Sequence, residues 1–203
     1  MNPLERFVRL SASALVTVVC AVTLITLELL ALPFRQIRIQ LGNITGKLGG
    51  RLIVWLVGAR PHFVNRDLIN DSAPAIYVWN HSSNLDLFMG IWLCPMRGCG
   101  VVKRSVTRMP FLGQAYWLSG HLAIDRGTPE RARTAMNEIA HLAAKHRLSI
   151  WMSPEGTQSS DGRLLPFKKG FVHMALATGL PVVPIVFCGA HEVWPARSAA
   201  VRG

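Results

Sequence analysis

Ala75-Ile76-Tyr77-Val78-Trp79-Asn80-His81-Ser82-Ser83-Asn84-Leu85-Asp86 is the stretch on which the fold turns. Five apolar, β-prone residues come first, without alternation, as in a strand covered on both faces. A polar turn follows. On one continuous helix, residues five apart point about 140° away from each other, so His81 and Asp86 would not meet. With His81 in the turn before a helix and Asp86 in its first turn, contact becomes possible. Asp86 would then accept the imidazole Nδ1 proton, leaving the other nitrogen free as a general base. A strand-end histidine with a purely structural role fits the same residues.

Similar short runs recur at 100–103, 122–125, 148–152 and 182–187. Helical patterns separate them. The clearest covers 129–146, where Ala132, Ala135, Met136, Ile139, Leu142 and Ala143 form one apolar stripe. Thr128 suits its N-cap and Pro129 its first position. Strand–helix alternation predicts an α/β fold, a mostly parallel or mixed sheet flanked by helices. In such folds ligands gather at the carboxyl ends of strands, and the polar segments sit where these runs end.

Upstream of this domain the chain is oily. No charged residue occurs between Leu10 and Leu27, and the apolar run continues past Glu28 to stop at Pro33. A bilayer core of about 30 Å needs roughly 20 helical residues, so this segment suits spanning or deep insertion. A second apolar helix is expected at 44–57, interrupted or ended by Gly49-Gly50 and Gly58. The two would form a membrane hairpin. Three zones result: a membrane anchor at 1–34, a basic connector at 35–72 and the main domain at 73–203. Arg6 and Arg9 precede the apolar run, and Arg35 and Arg38 follow it, so charge assigns no orientation.

The 203 residues carry a formal net charge of +11. The basic residues are scattered rather than grouped with aromatics, which argues against nucleic acid and for an anionic lipid surface or substrate. Four cysteines, Cys20, Cys94, Cys99 and Cys188, show neither paired nor zinc-like spacing. The histidines outside the Asn80–Asp86 turn have no ligand-like spacing either, so no metal site is expected.

Asn80-His81-x4-Asp86 resembles the first motif of the glycerolipid acyltransferase family, whose best-known branch is the PlsC-type 1-acylglycerol-3-phosphate acyltransferases. Three more blocks follow in the family's order. Gly120-His121-Leu122-Ala123-Ile124-Asp125-Arg126 is similar to the second motif, Ser153-Pro154-Glu155-Gly156-Thr157 to the third, and Val182-Val183-Pro184-Ile185-Val186 to the fourth. Lys103, Pro110, Phe111 and Gly113 match the stretch between the first two, and Phe167-Lys168-Lys169-Gly170 the one after the third. The resemblance covers about residues 74–190.

It implies transfer of a fatty acyl group from acyl-CoA or acyl carrier protein to a lysophospholipid acceptor, with no cofactor. His81 would be the base and Asp86 its orienter. Asn80, Lys103, Gly120, Arg126, Glu155, Gly156, Thr157, Gln158 and Lys168 would line the acceptor's binding site. It also implies a membrane location, the bacterial cytoplasmic membrane with the site facing the cytosol. One position departs from the pattern: Gln158 stands where the third motif usually ends in arginine. Glutamine donates hydrogen bonds but brings neither charge nor a fixed fork. The departure leaves open an acceptor other than lysophosphatidic acid.

Because the thioester donor is already activated, direct transfer is expected, with an acyl-enzyme on Ser82 or Ser83 as the lesser alternative. Backbone amides at the start of the helix after His81 are expected to stabilise the oxyanion. An inactive membrane scaffold predicts decay of His81 or Asp86, and both are present. Family members usually continue past the fourth motif, so a short or truncated member is expected.

Overall fold

In the computed structural model, residues 2–124, 128–198 and 201–202 are described. Two long helices open the chain, α1 (Pro3–Leu30) and α2 (Arg35–Leu56). After a short helix α3 (Leu68–Asp71), strands and helices alternate: β1 (Ile76–Trp79), α4 (Leu85–Leu93), β2 (Gly98–Lys103), α5 (Leu112–Leu118) and β3 (Leu122–Ile124). Then come α6 (Pro129–His146), β4 (Ser149–Met152), α7 (Gly170–Thr178), β5 (Val182–Ile185) and α8 (Ala190–Val193). All five expected strands form, within two residues at each end. They build one parallel sheet in the order β3-β2-β4-β1-β5.

The central strands are buried throughout, which explains their unbroken apolar runs. Alternate residues serve opposite faces. Ile76, Val78, Ile150 and Met152 pack with Ile139 and Ala143 of α6 and Met174 of α7. Tyr77, Trp79 and Trp151 pack with Ile53 and Val54 of α2, Val57 just after it, and Met89 and Trp92 of α4. Burying one such large apolar side chain contributes about 1.5–3 kcal/mol. The α6 helix has the bounds its stripe predicts, and Thr128 Oγ1 accepts the Arg131 amide as its N-cap.

At the β5 edge the Ile76 amide donates to the Pro181 carbonyl. In a parallel pair alternate residues face the neighbour, so Pro184 presents its donor-free nitrogen to the open edge. That position tolerates proline and discourages further pairing.

The α2 helix corrects one expectation. It starts nine residues earlier than predicted and runs through Gly49 and Gly50 without a break. The glycines are there for contact. A Cβ on Gly50 would lie 2.6 Å from the Phe88 carbonyl oxygen and 2.9 Å from Ile91 Cγ1, and one on Gly49 would lie 2.9 Å from Cys20 Sγ. Missing side chains let α2 press against α4 on one side and α1 on the other. So α2 belongs to the domain's core as much as to the hairpin. By contrast, only 17% of the most apolar window of α1 is buried within the protein, and the helix is long and apolar enough to cross a bilayer.

His121, just before β3, is held in a different way. Its Nδ1 accepts the Gly100 amide (3.2 Å), and its ring lies against Tyr116 with centroids 4.8 Å apart. Burial, and then the charge of Arg35, lower its pKa to about 4.

Two outcomes follow from this packing. Alanine is the better helix former by about 1 kcal/mol, yet Gly50→Ala should lower the melting temperature because the contact term wins. A raised melting temperature would show that α2 and α4 are not this close. The native state also holds His121 neutral between about pH 4 and the ordinary value of about 6.5, binding fewer protons than the unfolded chain. Its contribution is therefore complete above that window and is lost as pH falls through it. Melting curves should fall with acidification, and His121→Asn, which keeps an acceptor near the Gly100 amide, should flatten that dependence. An unchanged slope would remove His121 as the cause.

Candidate active site

The connection after β1 leads to α4 on one face of the sheet, and the one after β4 leads to α7 on the other. Where adjacent strands send their connections apart, a crevice opens at their carboxyl ends. The turn 80–84 and the loop 153–169 meet there.

His81 sits in the turn, before α4, and Asp86 in the first turn of α4. Their approach is the one the spacing permits: His81 Nδ1 lies 3.3 Å from Asp86 Oδ2. A carboxylate only accepts, so Nδ1 carries the proton, and in the neutral ring Nε2 keeps its lone pair. The same Oδ2 accepts the amides of Ser82 (2.6 Å) and Ser83 (2.7 Å). Asp86 is fully buried, whereas the His81 side chain remains 24% exposed. Trp79 backs the ring edge-on, with centroids 5.0 Å apart. Orientation by a fixed acid, with one ring nitrogen left free, is what a general base requires.

The loop after β4 grips His81 from the other side. Glu155 Oε1 accepts the His81 amide (2.6 Å), and the Ser159 amide donates to the His81 carbonyl (2.8 Å). Glu155 Oε2 accepts the Leu165 amide (2.8 Å), and the residue is buried. Its carboxylate therefore holds two loops together and has neither oxygen left over. Asn80 is engaged in the same way, exchanging two bonds with the backbone of Phe187 (3.0 and 2.7 Å) and fastening the end of β1 to that of β5.

The remaining predicted residues separate into two groups. Lys103 ends β2 at the carboxyl edge and is exposed. Gly156 and Thr157 lie in the loop that grips His81, and Lys168 is tied to that loop through its amide on the Pro154 carbonyl (2.8 Å). Gln158 is half-buried, and its Nε2 donates to Asn84 Oδ1 (3.4 Å). Gly120 does not belong with them. It precedes β3, so in a parallel sheet it stands at the edge opposite His81, with Arg35 packed over it. Arg126 lies outside the described residues.

Two further expectations change. The amides of residues 81–86 are all committed: those of Asn84, Leu85 and Asp86 go to Trp194 O, Ser83 Oγ and Ser83 O. None is free for an oxyanion. The Ser83 hydroxyl is buried against the carbonyls of Ala190 (2.9 Å) and Trp194 (2.6 Å), which removes it as an acyl carrier.

The residue that sequence reasoning missed is His191. Its Nδ1 donates to the Ser82 carbonyl (2.8 Å), joining α8 to the His81 turn. Only its contact with Ser82 in the fold reveals it, and no sequence signal marks it. It lines a cavity of about 590 Å³ with Ser82, Arg163, Phe167 and Phe187. A second cavity of about 670 Å³ lies beyond β5, lined by Phe63, Leu85, Met89 and Val183. His81 lines neither. Among the described residues no group of three or more His, Cys, Asp or Glu could hold a metal ion.

The family model described as Acyltransferase matches residues 60–188. A 1-acyl-sn-glycerol-3-phosphate acyltransferase of Limnanthes alba is 41% identical over 187 residues, covering 92% of this chain and 66% of that protein. One of Escherichia coli (strain K12) is 42% identical over 111 residues, covering 55% of this chain and 45% of that protein. The chain thus spans just under two thirds of the plant relative and less than half of the bacterial one. The crystal structure of the 1-acyl-sn-glycerophosphate (LPA) acyltransferase PlsC from Thermotoga maritima superposes with a TM-score of 0.72 at 21% identity, covering 97% of this chain and 81% of that one. That likeness speaks for the fold. The motifs, the matched span and the level of identity together place this chain in the acyltransferase family.

Proposed function

We propose that this chain transfers a fatty acyl group from acyl-CoA or acyl carrier protein to the free hydroxyl of 1-acylglycerol-3-phosphate, giving phosphatidic acid. The observation that carries the reading is the His81–Asp86 pair, fixed at the carboxyl edge with Nδ1 on the carboxylate. The relatives named above supply the substrate class.

In the proposed reaction Nε2 takes the acceptor's hydroxyl proton as the oxygen attacks the thioester carbonyl. The carbon–sulfur bond then breaks, and the proton passes from His81 to the departing thiolate. An alcohol ionises far above neutral pH, so a base acting only as the bond forms suits it. Asp86, bonded to Nδ1, keeps the tautomer and stabilises the transient imidazolium. The acceptor's anionic head would meet Lys103, Lys168 and, by sequence, Arg126. We place α1 in the membrane, with α2 against its surface and the site facing the cytosol. For a bacterial chain the membrane would be the cytoplasmic one.

Gln158 favours a second reading, in which the acceptor is another lysophospholipid. Its amide already leans on Asn84, so it offers the acceptor no charge and only part of its bonding capacity. Chemistry and base would be the same.

In membranes containing the chain, labelled acyl donor should be transferred to lysolipid. His81→Ala should reduce the rate by about 10²–10⁴-fold, the usual worth of a general base. Equal transfer by wild type and His81→Ala would end the general-base assignment. Restoring the family's arginine should show in acceptor preference: Gln158→Arg should lower KM for a lysolipid with a terminal phosphomonoester more than for one with a phosphodiester. Equal changes for both would remove Gln158 as the determinant.

A further inference from the structure

At the base of the hairpin, far from His81, the chain builds a polar contact that the reaction does not use. The Arg38 guanidinium donates to the Leu118 carbonyl, the last of α5. One turn earlier, Arg35 Nη2 donates to the Gly120 carbonyl (2.8 Å).

The backbone at Gly120 is shaped for this contact. Its φ is +74°, a conformation that side chains disfavour, and a Cβ there would lie 3.0 Å from Arg35 Cγ and 3.1 Å from Nε. The carbonyls at the end of α5 are the negative pole of that helix, so two guanidiniums there are well placed.

What this contact holds is the start of β3. That strand has three residues and pairs only with β2. An edge strand so short has little of its own to fix it. About 10 Å of extended chain separates its start from its end, where Ile124 pairs with Lys103 of β2. A shift at Gly120 is therefore delivered almost whole to the carboxyl edge.

We infer that Arg35 and Arg38 are positioning residues, a latch by which the membrane hairpin sets the strand that leads to the acceptor site. The inference rests on the proposed acyl transfer for its kinetic consequence but not for its structural one. Seating of the hairpin and binding of the acceptor become linked, since both depend on the same two arginines.

The test uses the full chain in membranes and in detergent. Arg35→Ala and Arg38→Ala, singly and together, should raise KM for the lysolipid by about tenfold or more while kcat changes much less, as expected for a misplaced binding strand. Arg35→Lys, which keeps one donor on a long stem, should recover most of the loss. Hydrogen exchange should quicken at the amides of residues 121–124 in the alanine variants and stay unchanged in β1 and β4. That measurement needs no activity, so it separates failure of the latch from failure of the acyl-transfer reading. Unchanged exchange at 121–124, or a loss of kcat with KM constant, would overturn the inference.

Discussion

The site depends on how two buried carboxylates use the backbone of one turn. Asp86 takes the amides of Ser82 and Ser83 as well as the ring of His81, and Glu155 takes the amide of His81 itself. A carboxylate withdrawn from water is costly unless donors surround it. Here the donors are the amides left without partners where β1 ends and α4 has not begun. The same bonds that make the burial tolerable fix the position of the imidazole. Because Glu155 reaches from the neighbouring strand's loop, closing the turn also joins β1 to β4 above the crevice. Fold stability and the geometry of the His81–Asp86 pair therefore rest on one set of bonds.

Much of this was legible in the sequence. Strands covered on both faces announce themselves as unbroken apolar runs, so all five could be located from composition and length alone. The α6 helix could be bounded to the residue because its stripe is regular and its cap is a threonine followed by proline. The pairing of His81 with Asp86 followed from helix geometry: five residues apart, they meet only across a helix start. Pro184 in a run of valines pointed to a strand edge, and β5 is one.

What stayed hidden depends on contacts between elements distant in the chain. Gly49 and Gly50 look like a helix break, since glycine is a poor helix former and sequence shows no neighbour. In the fold Phe88 and Cys20 occupy the space their side chains would fill, and packing outweighs propensity. Glu155 looks like a polar turn residue until its two partners, one 74 and one 10 residues away, are seen. Gly120 belongs to a motif, but a motif gives order along the chain and not the edge of the sheet. Its place at the amino end of β3 turns it from a ligand contact into a seat for Arg35.

The oxyanion shows how such accounting constrains chemistry. A helix start is a natural place for developing negative charge, and the amides after His81 were the obvious donors. Every one of them is already donating to Glu155, Asp86, Ser83 or Trp194. Freeing any of them would undo the bonds that hold the base. For the proposed transfer, charge on the thioester oxygen has to be met by a different segment. The loop after β4 is fastened to the His81 carbonyl at Ser159, and among the described residues the amides of Thr157 and Gln158 donate to no acceptor. Lys103 stands at the end of the strand beyond β4. Donors drawn from that side would stabilise the oxyanion of the proposed transfer without loosening the histidine, because the bonds by which this loop holds His81 run through Glu155 and Ser159 and not through the amides of Thr157 and Gln158.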